Sequence, residues 1–153
     1  MSKVPLKRHI ALQAVSREHH HTLLFCWKIR EGLRKEIATK RIKLYADWFW
    51  TNYLQAHFEH EEQYILPLLD EKNPLYQQTI NEHNTIQDLF LTNTNDLKES
   101  LAQIDTAIVA HIRFEERKLF AFIQEHANEE DLQSLAANHH DAIIDNWEDE
   151  FWR

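Results

Sequence analysis

One glycine in 153 residues, Gly32, with only three prolines, leaves this chain almost no means of making tight β-turns. Long helices are what such a sequence can build, and its polar punctuation shows where they stop. Ser16 reads as an N-cap with Glu18 in the first turn, opening a helix that runs to about Ile37. A second helical run extends from about Arg41 to Asp70, and Pro67 tightens or kinks its last turn. Asn73-Pro74 gives a cap followed by proline at the first helical position, so a third helix reaches about Leu91. Thr92-Asn93-Thr94-Asn95 forms a loop, after which Asp96 caps a fourth helix ending near Ala127. A short fifth helix starts at Asn128 or Glu129, and Asp141 to Trp152 reads as one more amphipathic piece. The expected fold is all-α. It is an up-down-up-down four-helix bundle over about 16–127, covered by short C-terminal helices over about 129–152, in a single domain spanning 1–153.

Composition narrows the function classes. Hydrophobic residues at 43% and charged ones at 27% suit a soluble globular chain. A formal charge of −8 argues against nucleic-acid binding, which needs a basic face. No segment approaches the ~18 apolar residues of a membrane span. The basic stretch Met1 to His9 is not followed by the apolar run of a signal peptide. Cys26 is the lone cysteine, which rules out an internal disulfide and fits a reducing compartment. A cytoplasmic location is the expectation, and nothing in the sequence names a protein partner.

The outlier is histidine, with 11 residues. His57 and Glu61, four apart, recur as His111 and Glu115 on a different helix, and that spacing stacks both side chains on one helix face. Apolar periodicity gives the direction of those faces, since each residue advances ~100° around a helix. His57 and Glu61 fall within the stripe of Ala46, Trp50, Leu54, Ile65 and Leu68. His83 is central to that of Ile80, Ile86 and Phe90. His111 and Glu115 interrupt that of Leu101, Ile104, Ile108 and Leu119. On the first helix His19 lies nearest the apolar centre, His20 to one side and His21 outward, so His19 or His20 is the candidate there. His60, at a stripe's edge, reads as a neighbour of the site. His9, His126, His139 and His140 read as capping or solvated. A carboxylate inside a core is costly unless it is paired or binds a metal. Inward histidines with two inward carboxylates are the ingredients of a dinuclear iron or manganese site. Trp50, Tyr53 and Tyr64 share the ligand stripe and read as core packing, with pocket lining or a relay of oxidising equivalents as the alternative. Trp147, Phe151 and Trp152 anchor the expected covering helix.

These residues resemble the hemerythrin family, in its hemerythrin-like or HHE cation-binding branch, from about Val15 to His126. The segments that carry the resemblance are Ser16-Arg17-Glu18-His19-His20, His57-Phe58-Glu59-His60-Glu61-Glu62, Glu82-His83, and His111-Ile112-Arg113-Phe114-Glu115-Glu116-Arg117. The resemblance implies a four-helix bundle holding a non-haem centre of two iron ions, with manganese or zinc as other occupants. It implies that Glu61 and Glu115 bridge the ions, one of which takes His19 or His20 with His57 and the other His83 with His111. The oxygen carriers of that family have His-x-x-x-His on the third helix, whereas here His83 is followed one turn later by Gln87, and they space the last histidine and carboxylate by five. An open position beside Gln87 is therefore expected. The implied role is binding or sensing a small diatomic ligand or peroxide (oxygen, nitric oxide, peroxide), or handling iron. An enzyme reducing peroxide or nitric oxide, or assisting iron–sulfur repair, is the alternative, and a metal-free helical interaction protein a further one.

Overall fold

A computed structural model describes residues 7–138 and 143–153, and among them every regular element is helical. Helix α1 spans Ile10–Arg34 and starts well before Ser16. His9, read from the sequence as capping or solvated, supplies the cap, its Nδ1 accepting from the Ala11 amide at 3.0 Å while its Nε2 meets Glu129 at 3.0 Å. Ser16 instead lies inside the helix and donates its hydroxyl to Glu116 at 3.1 Å. At the other end Glu36 adopts a left-handed φ of 58°, and the Ile37 amide bonds back to the Gly32 carbonyl. The only glycine is thus absent from the position where helix ends most often use one. It is needed one turn earlier, where a Cβ on Gly32 would stand 2.7 Å from the Phe151 ring and 2.9 Å from Ile42.

The second helical run is continuous over 39–68 but not uniform. Helix α2 (Thr39–Phe49) passes through a π-helical turn at Trp50–Leu54 into α3 (Gln55–His60). A second π turn at Glu61–Ile65 follows, and Pro67 sits in a final 3-10 turn, Leu66–Leu68. Helix α4 (Pro74–Leu91) opens on Asn73, whose Oδ1 accepts from the Leu75 amide at 2.9 Å. Asp96 caps α5 (Leu97–Phe114) through the Glu99 amide at 3.0 Å. A π turn at Glu115–Leu119 then leads into α6 (Phe120–His126). Asn128 caps α7 (Glu129–Ala137).

The expected covering helix over Asp141 to Trp152 is not formed where it is described. Residues 143–153 run as an irregular strap, while His139, His140 and Asp141 lie outside the described residues. Tertiary bonds claim the backbone and side chains that a helix would use. Asp145 turns the chain by accepting from the Trp147 amide and also takes a hydrogen bond from Lys28 at 2.9 Å. Tyr45 donates its hydroxyl to the same carboxylate, Tyr53 donates to the Ile144 carbonyl, and Lys35 reaches the Trp152 carbonyl at 2.9 Å. Phe151 and Trp152 are nonetheless buried, so the aromatic spacing marked a covering segment correctly and its conformation wrongly.

The core is divided in two. One apolar half is built around Phe25, Ile29, Ile42, Phe49, Leu101 and Ile108, and the other around Leu12, Val15, Ile65, Leu119 and Phe120. Between them, at the same level of all four helical runs, lies a layer of buried polar residues.

Candidate metal centre

That layer contains His19 from α1, His57 and Glu61 from the second run, His83 from α4, and His111 with Glu115 from the fourth, all buried. Both carboxylates have no exposed surface at all. Their donor atoms fall into two groups, His19, His57, Glu61 and Glu115, and then Glu61, His83, His111 and Glu115, each with its atoms within 4.8 Å of one another. Glu61 and Glu115 belong to both. His57 Nε2 stands 2.5 Å from Glu61, His19 Nε2 3.0 Å and His111 Nε2 3.1 Å from the same oxygen of Glu115, and His83 Nε2 3.8 Å from Glu61.

Those short separations are mostly not hydrogen bonds. Among the described residues, the Nε2 atoms of His57, His83 and His111, both oxygens of Glu61 and one of Glu115 are buried without a hydrogen-bond partner. Buried polar atoms left unsatisfied cost roughly 1–3 kcal/mol each, so six together in one layer suit a bound occupant. Four imidazole nitrogens and two carboxylates converging from four helices are a donor set that suits a divalent transition metal.

The outward nitrogens explain how the rings are aimed. Every one of the four Nδ1 atoms meets a second carboxylate: His19 with Glu116 at 2.9 Å, His57 with Glu18 at 3.3 Å, His83 with Glu62 at 2.8 Å and His111 with Glu82 at 2.8 Å. A proton held on Nδ1 leaves the Nε2 lone pair free to bind, and the carboxylate raises the basicity of the ring. The pairs are never made within one helical run. α1 supplies the carboxylate for His57, the second run supplies that for His83, α4 for His111, and the fourth run for His19. They form a closed circuit around the bundle, and sequence reasoning did not assign it. Its only trace was an acidic neighbour beside each ligand position, as in Glu18-His19, Glu61-Glu62, Glu82-His83 and Glu115-Glu116.

Both shared carboxylates also open a π turn, with the Leu66 amide reaching the Glu61 carbonyl and the Phe120 amide the Glu115 carbonyl. Such turns frequently mark functional sites, because widening the helix re-aims the residues around it. Burial disfavours the charge on His57 and on Glu61 alike. Their mutual attraction, aided at His57 by Glu18, outweighs it and moves His57 up to about 10 and Glu61 down to about 2. For His111 burial prevails and the imidazolium is pushed down.

Three sequence candidates lie elsewhere. His20 is exposed, its ring against that of His21 at 6.0 Å, so of the two alternatives on α1 the layer contains His19. His60 is buried, and its Nε2 bonds the Asn138 carbonyl beyond α7 at 2.7 Å. Gln87 is exposed. The inward stripe of α4 runs Thr79, His83, Ile86 and Phe90, which takes the step of three after His83 and turns Gln87 away from the centre. In its place Phe58 stacks on His83 with centroids 4.0 Å apart. On the outer side, a groove of about 560 Å³ between α4 and α5, flanked by Pro74, Asn81, Ala107 and Ala110, reaches Glu82 and His111.

No described helix is long and apolar enough to cross a membrane. The model of the hemerythrin HHE cation binding domain matches residues 10–122, which covers the first three helical runs, most of the fourth and every member of the buried layer. No curated protein and no solved structure matches the chain.

Proposed function

Because the chain belongs to the hemerythrin HHE cation-binding family, we propose that it holds two iron ions in a non-haem centre and binds a small diatomic ligand or peroxide there. The observation that carries this reading is the sharing of Glu61 and Glu115 between two groups of four donors. A single ion in either group would leave at least one buried, unsatisfied imidazole nitrogen of the other unserved. His19 and His57 would hold one ion, His83 and His111 the other, with the two carboxylates between them. Mixed imidazole and carboxylate donors favour iron, while manganese or zinc would also fit. Iron there would supply redox chemistry and an exchangeable coordination position. The groove reaching Glu82 and His111 supports ligand access from the α4–α5 side.

Protein supplied anaerobically with ferrous iron should retain close to two iron ions per chain by elemental analysis. Exposure to oxygen, nitric oxide or peroxide should then change its visible absorption. Uptake of one zinc ion with no second site would overturn the two-ion reading, and a loaded centre that is spectroscopically blind to all three ligands would overturn the ligand-binding one.

A further inference from the structure

Aromatic rings are distributed unevenly between the two halves of the core. In the half that holds α6, the buried aromatics are Phe114 and Phe120. In the other, a continuous series of ring contacts begins at the buried layer itself. Phe58 stacks on His83 at 4.0 Å and lies edge-on to Trp50 at 5.8 Å. Trp50 stacks on Phe90 at 5.0 Å, Phe90 meets Phe25 at 6.2 Å, and Phe25 meets Tyr45 at 5.4 Å. From Tyr45 the contacts pass to Trp48 at 6.1 Å and Trp147 at 5.9 Å, which touch each other at 5.3 Å. Trp48 and Trp147 are half-buried and flank a surface notch of about 340 Å³ bordered by Glu148 and Asp149. The fully or nearly fully buried tryptophans and tyrosines among the described residues, Tyr45, Trp50 and Trp152, all lie in this half.

Packing alone would be served as well by leucine and phenylalanine. What packing does not require is an oxidisable ring one phenyl group away from a ligand histidine, followed by a phenol with a proton acceptor in place. Tyr45 donates its hydroxyl to Asp145, a carboxylate that is also held by the buried Lys28 ammonium at 2.9 Å. Loss of an electron makes a phenol a strong acid, and this hydrogen bond gives its proton somewhere to go and a way back. Lys28, which holds the acceptor in an ion pair, also stands 4.2 Å from the Trp152 ring centroid.

Resting on the two-iron reading above, we infer that this series conducts single electrons from the surface notch at Trp48 and Trp147 through Tyr45 and Trp50 to the metal centre when a peroxide oxidises it. Reducing a peroxide to two molecules of water breaks its O–O bond and consumes two electrons and two protons. When the irons are already ferric, the electrons come one at a time from the aromatic series and the protons from solvent. Trp50 gives up the first, across Phe58, and Tyr45 refills it while its proton passes to Asp145. A one-electron reductant in solution, of the ascorbate class, restores the series at Trp48 or Trp147, and Asp145 returns the proton. A second pass completes the peroxide reduction. Phe58, Phe90 and Phe25 bridge the gaps without being oxidised.

The test uses full-length protein loaded with ferrous iron, its metal content measured, then oxidised in air, mixed with hydrogen peroxide and freeze-quenched for electron paramagnetic resonance. The expected signal is a tyrosyl radical, identified by its narrowing in protein labelled with ring-deuterated tyrosine. Tyr45→Phe should abolish it and leave a tryptophan radical. Trp50→Phe, which keeps a ring in the core, should abolish both and raise oxidation of the His83 imidazole as read by peptide mass spectrometry. A chain that takes up no iron overturns this inference together with the proposed function. Iron-loaded protein that forms no aromatic radical, or Trp50→Phe protein with unchanged radical yield and His83 oxidation, overturns the electron path and leaves the metal centre standing.

Discussion

At the scale of single residues, the decisive feature is that each buried histidine of the candidate centre is oriented by a carboxylate from a neighbouring helical run. Glu82 is the most informative, because it joins His111 to Gln78 and also borders the outer groove. Glu82→Ala should lower metal affinity by about 10–100-fold, the usual cost of removing such a partner, without unfolding the bundle. Competition titration with a coloured chelator checks this, and Glu82→Gln should recover part of the loss by keeping an acceptor on His111. Protons compete with the metal at the same atoms. In the metal-free protein His57 is raised from 6.5 to about 10 and Glu61 lowered from 4.5 to about 2. The stabilisation from the raised histidine is complete below 6.5 and fades as pH climbs to about 10. That from the depressed carboxylate is complete above 4.5 and fades as pH falls to about 2. Binding a metal displaces the His57 proton, so affinity should climb about tenfold per pH unit for that proton while the metal-free fold weakens over the same rise. Affinity measured between neutral and mildly acidic pH should therefore fall with acid, and a flat profile would contradict the assignment. The inward direction of the candidate ligands was legible in the sequence because i,i+4 spacing and apolar phase are local properties. Their carboxylate partners were not, because each pair crosses between helices, and periodicity has no access to that.

At the scale of elements, the π turns at Glu61 and Glu115 and the strap over 143–153 mark the limits of helical reading. A π turn changes the hydrogen-bond partner by one residue without demanding a different residue type, so the two runs read as plain α-helix. The strap shows the reverse problem. Trp147, Phe151 and Trp152 recur at helical spacing, but their burial is dictated by Tyr45, Lys28 and Lys35 on elements distant in sequence. Gln87 failed for a narrower reason, since the residues three and four beyond His83 both approach its face and α4 commits to Ile86. Gly32 ties helix and strap together. Gly32→Ala would gain about 1 kcal/mol of helix propensity, yet its methyl would press on the Phe151 ring at 2.7 Å. Overpacking of that kind costs roughly 1–3 kcal/mol, so the substitution should destabilise the protein on balance. Made in a Phe151→Ala background, it should become neutral or stabilising. A thermal-melting double-mutant cycle reads that reversal, and additive losses would show that Phe151 is not what forbids a side chain there.

At the scale of the whole molecule, the polar layer both divides the core and joins its halves. Two apolar clusters, one on each side, hold the bundle together without metal. Loss of the ions leaves unsatisfied donors facing one another between them. Chelation should accordingly lower the melting temperature on the order of 10 °C at neutral pH, as expected for a ligand present at about a thousandfold over its dissociation constant, while helical circular dichroism at room temperature stays intact. Equal melting temperatures with and without metal would refute that coupling. The circuit of carboxylates has a topological corollary. Glu18 reaches His57, Glu62 reaches His83, Glu82 reaches His111 and Glu116 returns to His19. Cut into two-helix hairpins at the 69–73 connection, each piece would keep one such bond and forfeit its share of two others. Neither hairpin is half of a binding site. Capacity to chelate would arise only on reassembly, which makes metal capture a reporter for fragment complementation.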